Sequence, residues 1–256
     1  MTTPNEWTWE PDDFAALWYS EAYDRFPRPL RYRSRFAYLA DFQAHRDAVL
    51  DRCSDEEMTQ IRYALHTLGS SQVRIEILCG TTRTKNSDTV QCRLLGARDR
   101  DEAVVLRQII RSDDPERIQL RRCRRDQLPV RLINWLVPAD AGGLPPASYL
   151  AHELRDDADC EFHDFFDEEP SARERYRWFR DRPADGGGSA ALYSGPILAR
   201  PQPIRMLQWY DHSGDGRYTE SRRGDRIEVA PAGPRDLAAR FAAWLTGDIR
   251  GFDCAR

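Results

Sequence analysis

The sequence predicts an α+β protein built on a central antiparallel β-sheet with a quasi-two-fold repeat, flanked by two helical bundles. Three observations predict it. Residues 73–121 and 190–229 each read as four runs of strand texture separated by short polar turns. Helix-patterned sequence precedes both blocks, over 39–68 and 155–182. Both blocks end in a proline-started helix that closes on Trp-Leu, at Trp135-Leu136 and Trp244-Leu245. Element order, more than residue identity, carries the repeat. The expected organisation is one domain over 1–256, with an N-terminal half to about residue 140 and a C-terminal half from about 141.

A helix is expected from Pro11, since proline suits the first turn and Asp12 and Asp13 favour its positive end. Phe14, Leu17 and Trp18 form its apolar stripe. Phe26-Pro27-Arg28-Pro29 breaks it, and Leu30-Arg31-Tyr32-Arg33 reads as a short strand. Two helices follow, over 39–52 and from Ser54, where Glu57 completes a capping box. Met58, Ile61, Leu65 and Leu68 mark the buried face of the second, and Gly69 is its expected stop. Strands are expected at 73–79, 90–94, 103–110 and 118–121, then a helix over 128–136. Gly142 to Pro146 is a break. Ser171 and Glu174 start a basic, aromatic helix, and Pro183 with Gly186-Gly187-Gly188 ends that section. Strands at 190–193, 204–210, 217–220 and 226–229 precede the helix from Pro234.

Composition narrows the function classes. Of 256 residues, 41% are hydrophobic and 31% charged, as in a folded domain with a charged surface. The net charge of -4 argues against general attraction to nucleic acid. The first residues lack a signal-peptide pattern and no run approaches a membrane span, so a cytoplasmic protein with no membrane association is expected. Six scattered cysteines without a Cys-x-x-Cys pair read as reduced thiols.

Catalytic and metal patterns are weak, and no catalytic residue, metal or cofactor is expected. The sequence holds no Gly-x-Ser-x-Gly, no Walker loop and no Gly-x-Gly-x-x-Gly after a strand. Asp211, Ser213 and Asp215 mimic the opening of a calcium loop, but the twelfth position is Arg222 where a glutamate is required. Asp215-Gly216 therefore reads as a hairpin turn. Cys160 and His163 lack two further zinc ligands at defined spacing. The five histidines sit in unrelated contexts. Arg121, Arg122, Arg124 and Arg125 read as a solvated edge strand, with phosphate or nucleic-acid binding as an alternative. The acidic 155–169 and basic 173–182 segments are expected to pair as an antiparallel hairpin, with Phe162, Phe166, Tyr176 and Phe179 packing between them.

Taken in order, these pieces resemble the EspG family, ESX (type VII) secretion-associated proteins of actinobacteria. The most specific part is Trp209-Tyr210-Asp211-His212-Ser213-Gly214-Asp215-Gly216-Arg217-Tyr218. Supporting it are Pro11 to Trp18, Pro29-Leu30, Val73-Arg74-Ile75, Leu128 to Pro138 and the closing Gly233-Pro234 helix. The resemblance implies a cytosolic chaperone or adaptor without catalytic residues. Such a protein binds the helical tip of a PE–PPE heterodimer and delivers it for secretion. It also implies partner contacts from the sheet, from the loop between the second and third strands, and from the C-terminal helical half. Here the loop candidates are Thr82, Arg83, Thr84, Lys85 and Asn86, and the sheet candidates are Leu207 and Trp209 with Arg205. For Trp209, core packing is the competing reading. The acidity of 155–169 departs from the family pattern and would suit a partner with a basic tip. The partner is thus a PE–PPE-like or ESX-like helical-hairpin substrate, and the chaperone a monomer or weak dimer. A small-molecule enzyme on an unfamiliar α/β fold is the alternative, and a deep polar pocket with convergent titratable groups would favour it.

Overall fold

The computed structural model describes residues 5–247 apart from 21, 82–89, 112–113, 156–169, 196 and 199–200. The described strands are β1 (Glu6–Trp9), β2 (Val73–Thr81), β3 (Val90–Arg98), β4 (Glu102–Arg111) and β5 (Asp114–Arg124) from the first part of the chain. The second part gives β6 (Ala147–Leu150), β7 (Ala184–Ser194), β8 (Arg205–His212), β9 (Gly216–Arg223) and β10 (Arg226–Pro231). They form one open antiparallel sheet of ten strands in the order β1-β5-β4-β3-β2-β7-β8-β9-β10-β6. Outward from its centre the sheet reads β2-β3-β4-β5-β1 one way and β7-β8-β9-β10-β6 the other. Each half therefore has an edge strand that precedes its meander in sequence, so the repeat extends further than the two meanders alone.

The halves meet where β2 pairs with β7, from Val73 opposite Ser194 to Thr81 opposite Gly186. Period-two burial follows from this central position. Ile75 and Ile77 of β2, Leu94 of β3, Val105 of β4, Leu192 of β7 and Leu207 of β8 point to one face. That face is closed by α4 (Leu128–Ile133) and α6 (Pro234–Thr246), the two helices that end the repeats. Leu237, Phe241 and Leu245 recur at i, i+4 and i+8 of α6 and are buried, each contributing about 1.5–3 kcal/mol.

The other face is covered in two separate places. Over the first half lie α1 (Pro11–Trp18) and α3 (Asp55–Ser70), which bury Phe14, Trp18, Ile61, Leu65 and Leu68 against Leu95, Leu106, Ile118 and Leu120. The intervening α2 (Leu39–Asp51) buries only Val49. Over the second half lies α5 (Ala172–Asp181), whose Phe179 packs with Tyr149, Tyr218 and Val229. The Ser171–Glu174 capping box that starts α5 is present.

Several expectations change. Leu30 to Arg33 is not a strand; the side-chain amide of the buried Gln108 donates to Arg31 O (2.8 Å) and accepts from Arg31 N (2.7 Å), replacing a ladder with one side chain. Gly69 lies inside α3, because the Tyr23 ring occupies the space a Cβ would need. The start of the basic run is not on an edge, since β1 pairs outside β5 as far as Arg121 and Arg122 N donates to Asn5 O. Gly186 to Gly188 do not end a section but run through β7. A Cβ on Gly187 would stand 2.7 Å from Trp209 O, and one on Gly188 would stand 2.6 Å from Leu78 O and overlap the Trp209 ring. The glycines let β7 thread between β2 and β8 with an indole filling the space. The 155–169 helix, and its pairing with α5, fall outside the described residues. Gly188→Ala is expected to lower unfolding stability by about 3 kcal/mol, measured by urea titration, because the new methyl meets backbone as well as a ring.

Candidate functional site

Between the α1–α3 pair and α5, no helix among the described residues lies over the central strands of the second sheet face. Register fixes what it displays. Across β3, β2, β7 and β8 one row reads Arg93, Leu78, Ser189, Gln208, and the adjacent row continues Glu76, Ala191, Met206. Leu78 is 44% exposed and Met206 55% exposed, diagonal to each other across β7. Around them stand Gln91, Gln208, Ser189 and Glu76, and Glu76 accepts from Arg74 at 2.9 Å. Arg93 donates to Pro29 O, and burial together with the nearby Arg31 holds its pKa below the usual arginine value. An apolar centre within a polar rim on an otherwise covered sheet has the form of a binding surface.

The sequence-derived candidates fall on different parts of this region. Leu207 and Trp209 project to the opposite, closed face, 1% and 2% exposed, among Ile77, Ala190, Leu237 and Phe241. A partner cannot reach them while α6 is in place. Period two then puts Met206 and Gln208 of the same strand on the open face, so these are the accessible positions. Arg205 is exposed and donates to Ile204 O. Thr82, Arg83, Thr84, Lys85 and Asn86 lie outside the described residues. Sequence reasoning missed Leu78 because Val73, Ile75 and Ile77 set the phase of β2, and Leu78 breaks it. An apolar residue out of phase in an alternating strand is the signal that could have found it.

The β8–β9 hairpin sets the end of this surface. Beside its turn Arg217, buried on the closed face, clasps Asp211 in a bidentate pair (2.6 and 2.9 Å), donates to Val137 O and lies over the Trp209 ring. At its tip Asp215 accepts from Gly143 N (2.7 Å), Tyr218 Oη (2.7 Å) and Arg182 Nη2 (2.6 Å), which together hold its carboxyl down at about 2. The motif is thus a charged lock, with its carboxylates occupied by protein donors. Behind it His212 is buried among Phe179, Tyr210 and Tyr218; burial first, then Arg182, lowers its pKa.

The alternative readings meet different surroundings. A groove of about 730 Å³ between α5 and residues 144–149 is lined by Leu144, Tyr149, Trp178 and Phe179, and Glu174, the one carboxylate among its described lining residues, is engaged in the α5 cap. A depression of about 900 Å³ beside α2 is lined mainly by Tyr19, Tyr32, Phe36 and Phe42. Among the described residues, no three His, Cys, Asp or Glu side chains are grouped to hold a metal ion. Cys160 and His163 lie outside the described residues. The basic run is engaged within the protein: Arg121 with Glu6, Arg122 with Glu102 and Gln60, Arg124 with Asp126, and Arg125 with Arg100 O. No helix among the described residues is long and apolar enough to cross a membrane.

Arg217→Met is expected to cost about 3–5 kcal/mol in chemical unfolding, since it leaves Asp211 unpaired. Adding Asp211→Asn should restore part of the loss, giving a clear coupling energy in the double-mutant cycle. A lowered histidine pKa means the unfolded chain takes up the proton first. Stability should therefore be full above the unfolded value of about 6.5 and decline as pH falls below it. His212→Phe should flatten thermal stability between about pH 7 and 5; an unchanged slope would remove His212 as its source.

The comparisons with known proteins agree with the architecture. No curated protein matches the chain. A family model described as the EspG family matches residues 10–243, nearly the whole of the sheet and its covering helices. This chain therefore belongs to the EspG family of ESX secretion-associated proteins.

Proposed function

We propose that the protein is a cytosolic, substrate-specific chaperone or adaptor for type VII secretion, acting by holding the apolar helical tip of a helical-hairpin substrate. The observation that carries this reading is the sheet face over β2, β7 and β8 that no described helix covers, with Leu78 and Met206 exposed at its centre. A secretion substrate kept soluble before export needs its apolar tip hidden, and a flat apolar patch with a polar rim can hide it reversibly. Met206 suits such work because its unbranched side chain adapts to different knobs on a helix. The partner is PE–PPE-like or ESX-like, and the free chaperone is a monomer or weak dimer. Arg205 is assigned to the rim of this surface, and Thr82, Arg83, Thr84, Lys85 and Asn86 are proposed as further partner contacts. Leu207 and Trp209 support it from beneath by fixing β8 against α6.

The test is co-expression with the helical-hairpin secretion substrates encoded nearest to the gene, followed by size exclusion. The expected result is a co-eluting complex that the paired variant Leu78→Asp, Met206→Asp abolishes, with at least a hundredfold weaker Kd. Both side chains are already exposed, so the variant should keep its Tm within a few degrees. A complex unaffected by the paired variant would move the docking site off this face, and no complex with any such substrate would count against the chaperone reading.

A further inference from the structure

We infer that Cys79 and Cys92 form a reversible cross-strand disulfide, a modification site at the end of the β2–β3 hairpin. The inference does not depend on the proposed function. The two residues are direct partners in the antiparallel ladder. Their side chains share the closed face with Ile75, Ile77 and Leu94. Directly opposed antiparallel residues have Cα atoms about 4.5–5.5 Å apart, inside the range of about 4.4–6.8 Å that a disulfide spans. The Cys79 thiol already leans across the ladder, with Sγ 3.5 Å from Cys92 O, to which it donates. Neither Cys53 nor Cys123, the other free cysteines described, is paired with a cysteine in the ladders.

The surroundings give the pair room and access. On β7 the residue opposite Cys79 is Gly188, and even a Cβ there would stand 2.7 Å from the Cys79 Cβ. A small depression of about 280 Å³ borders Cys79, Gly80, Cys92, Gly187 and Gly188. The pair lies two residues from the end of β2 and two from the start of β3, where a ladder yields more readily than at its middle. Hydrogen bonding from Cys79 and the charge of Arg107 lower the Cys92 thiol pKa against its burial, while the same hydrogen bond and burial raise that of Cys79. The direction of these shifts favours Cys92 as the attacking sulfur.

With a low-molecular-weight disulfide as oxidant, the Cys92 thiolate attacks one of its sulfurs, the S–S bond breaks and one small thiol leaves. Cys79 then gives up its proton and attacks the Cys92 sulfur, releasing the second small thiol. Two electrons pass from the protein pair to the oxidant, and the two protons end on the released thiols. A small thiol in excess reverses both steps. The product ties β2, one of the two strands of the central seam, to β3 covalently.

The experiment treats the folded full-length chain with oxidised glutathione, blocks the remaining thiols by alkylation and digests with trypsin. Cleavage after Arg74, Arg83, Lys85 and Arg93 makes the bond visible as peptide 75–83 joined to peptide 86–93. The expected result is that joined pair in most molecules, lost on treatment with dithiothreitol, with amide exchange in β3 slowed several-fold while oxidised. Cys79→Ser should stop at a glutathione adduct on Cys92, and Cys92→Ser should give no joined peptide. Wild-type protein in which both cysteines remain alkylated, or in which glutathione stays on Cys92, overturns the inference, and that result needs no variant to fold.

Discussion

The pairing of β2 with β7 is the constraint on which the rest depends. Two meanders of low sequence identity become one sheet only along this seam. Removing it would expose two long central edges, each a template for unwanted strand pairing. The seam is also narrow, because β7 must lie close to both β2 and β8 while Trp209 stays inside. Three consecutive glycines meet that demand at an entropic cost, and the indole recovers packing that they forgo. Glycine weakens an isolated strand, so β7 depends on neighbours on both sides to persist.

The seam also decides which face is closed. The helices that end the two repeats meet over it, and their contact seals one side with Leu128, Leu132, Leu237 and Phe241. The helices that precede the meanders cannot meet in the same way, because each packs over its own half. A quasi-two-fold arrangement therefore leaves its axis covered by helices on one face and without a described helix on the other. The open surface is a consequence of the repeat and does not require a separate element to create it. The charged lock of Asp211, Arg217 and Asp215 holds the second half in register with residues 137–143, so that α5 stays to one side of that surface.

The elements legible in the sequence were those whose signal is local. The α3 cap at Ser54, the α5 capping box and the four-strand texture of each meander depend on neighbours in the chain, and they stand where periodicity and capping place them. What could not be read depends on distant partners. β1 and β6 are four-residue strands, too short to show a period, and they exist because β5 and β10 offer them a ladder. Gly69 and Gly186 to Gly188 look like stops until the Tyr23 ring is seen beside Gly69, the Trp209 ring beside Gly188, and neighbouring backbone beside Gly186 and Gly187. The basic run looked like a free edge because its counter-charges, Glu6 and Glu102, lie far away in sequence or across a turn. Along β8 the alternation was legible, and the two residues chosen from it, Leu207 and Trp209, lie on the buried face. Trp209 drew attention as a large aromatic, and large aromatics are more often core than contact.

This choice of face bears on how the open surface keeps its chemistry. Leu78 and Met206 are flexible apolar side chains on two strands that belong to different halves, separated only by β7 with Ala191 and Ser189 between them. The small residues of β7 keep the middle of the patch shallow, so neither apolar side chain is screened by a taller neighbour. Were β7 filled with large apolar residues, the face would invite self-association through a broad hydrophobic patch. Were it charged, a helix tip could not dock without leaving those charges desolvated. The glycines and small residues that allow the two halves to join thus also keep the surface above the join both low and only moderately apolar. One local constraint, the narrowness of the seam, accounts for the architecture and for the character of the face it exposes.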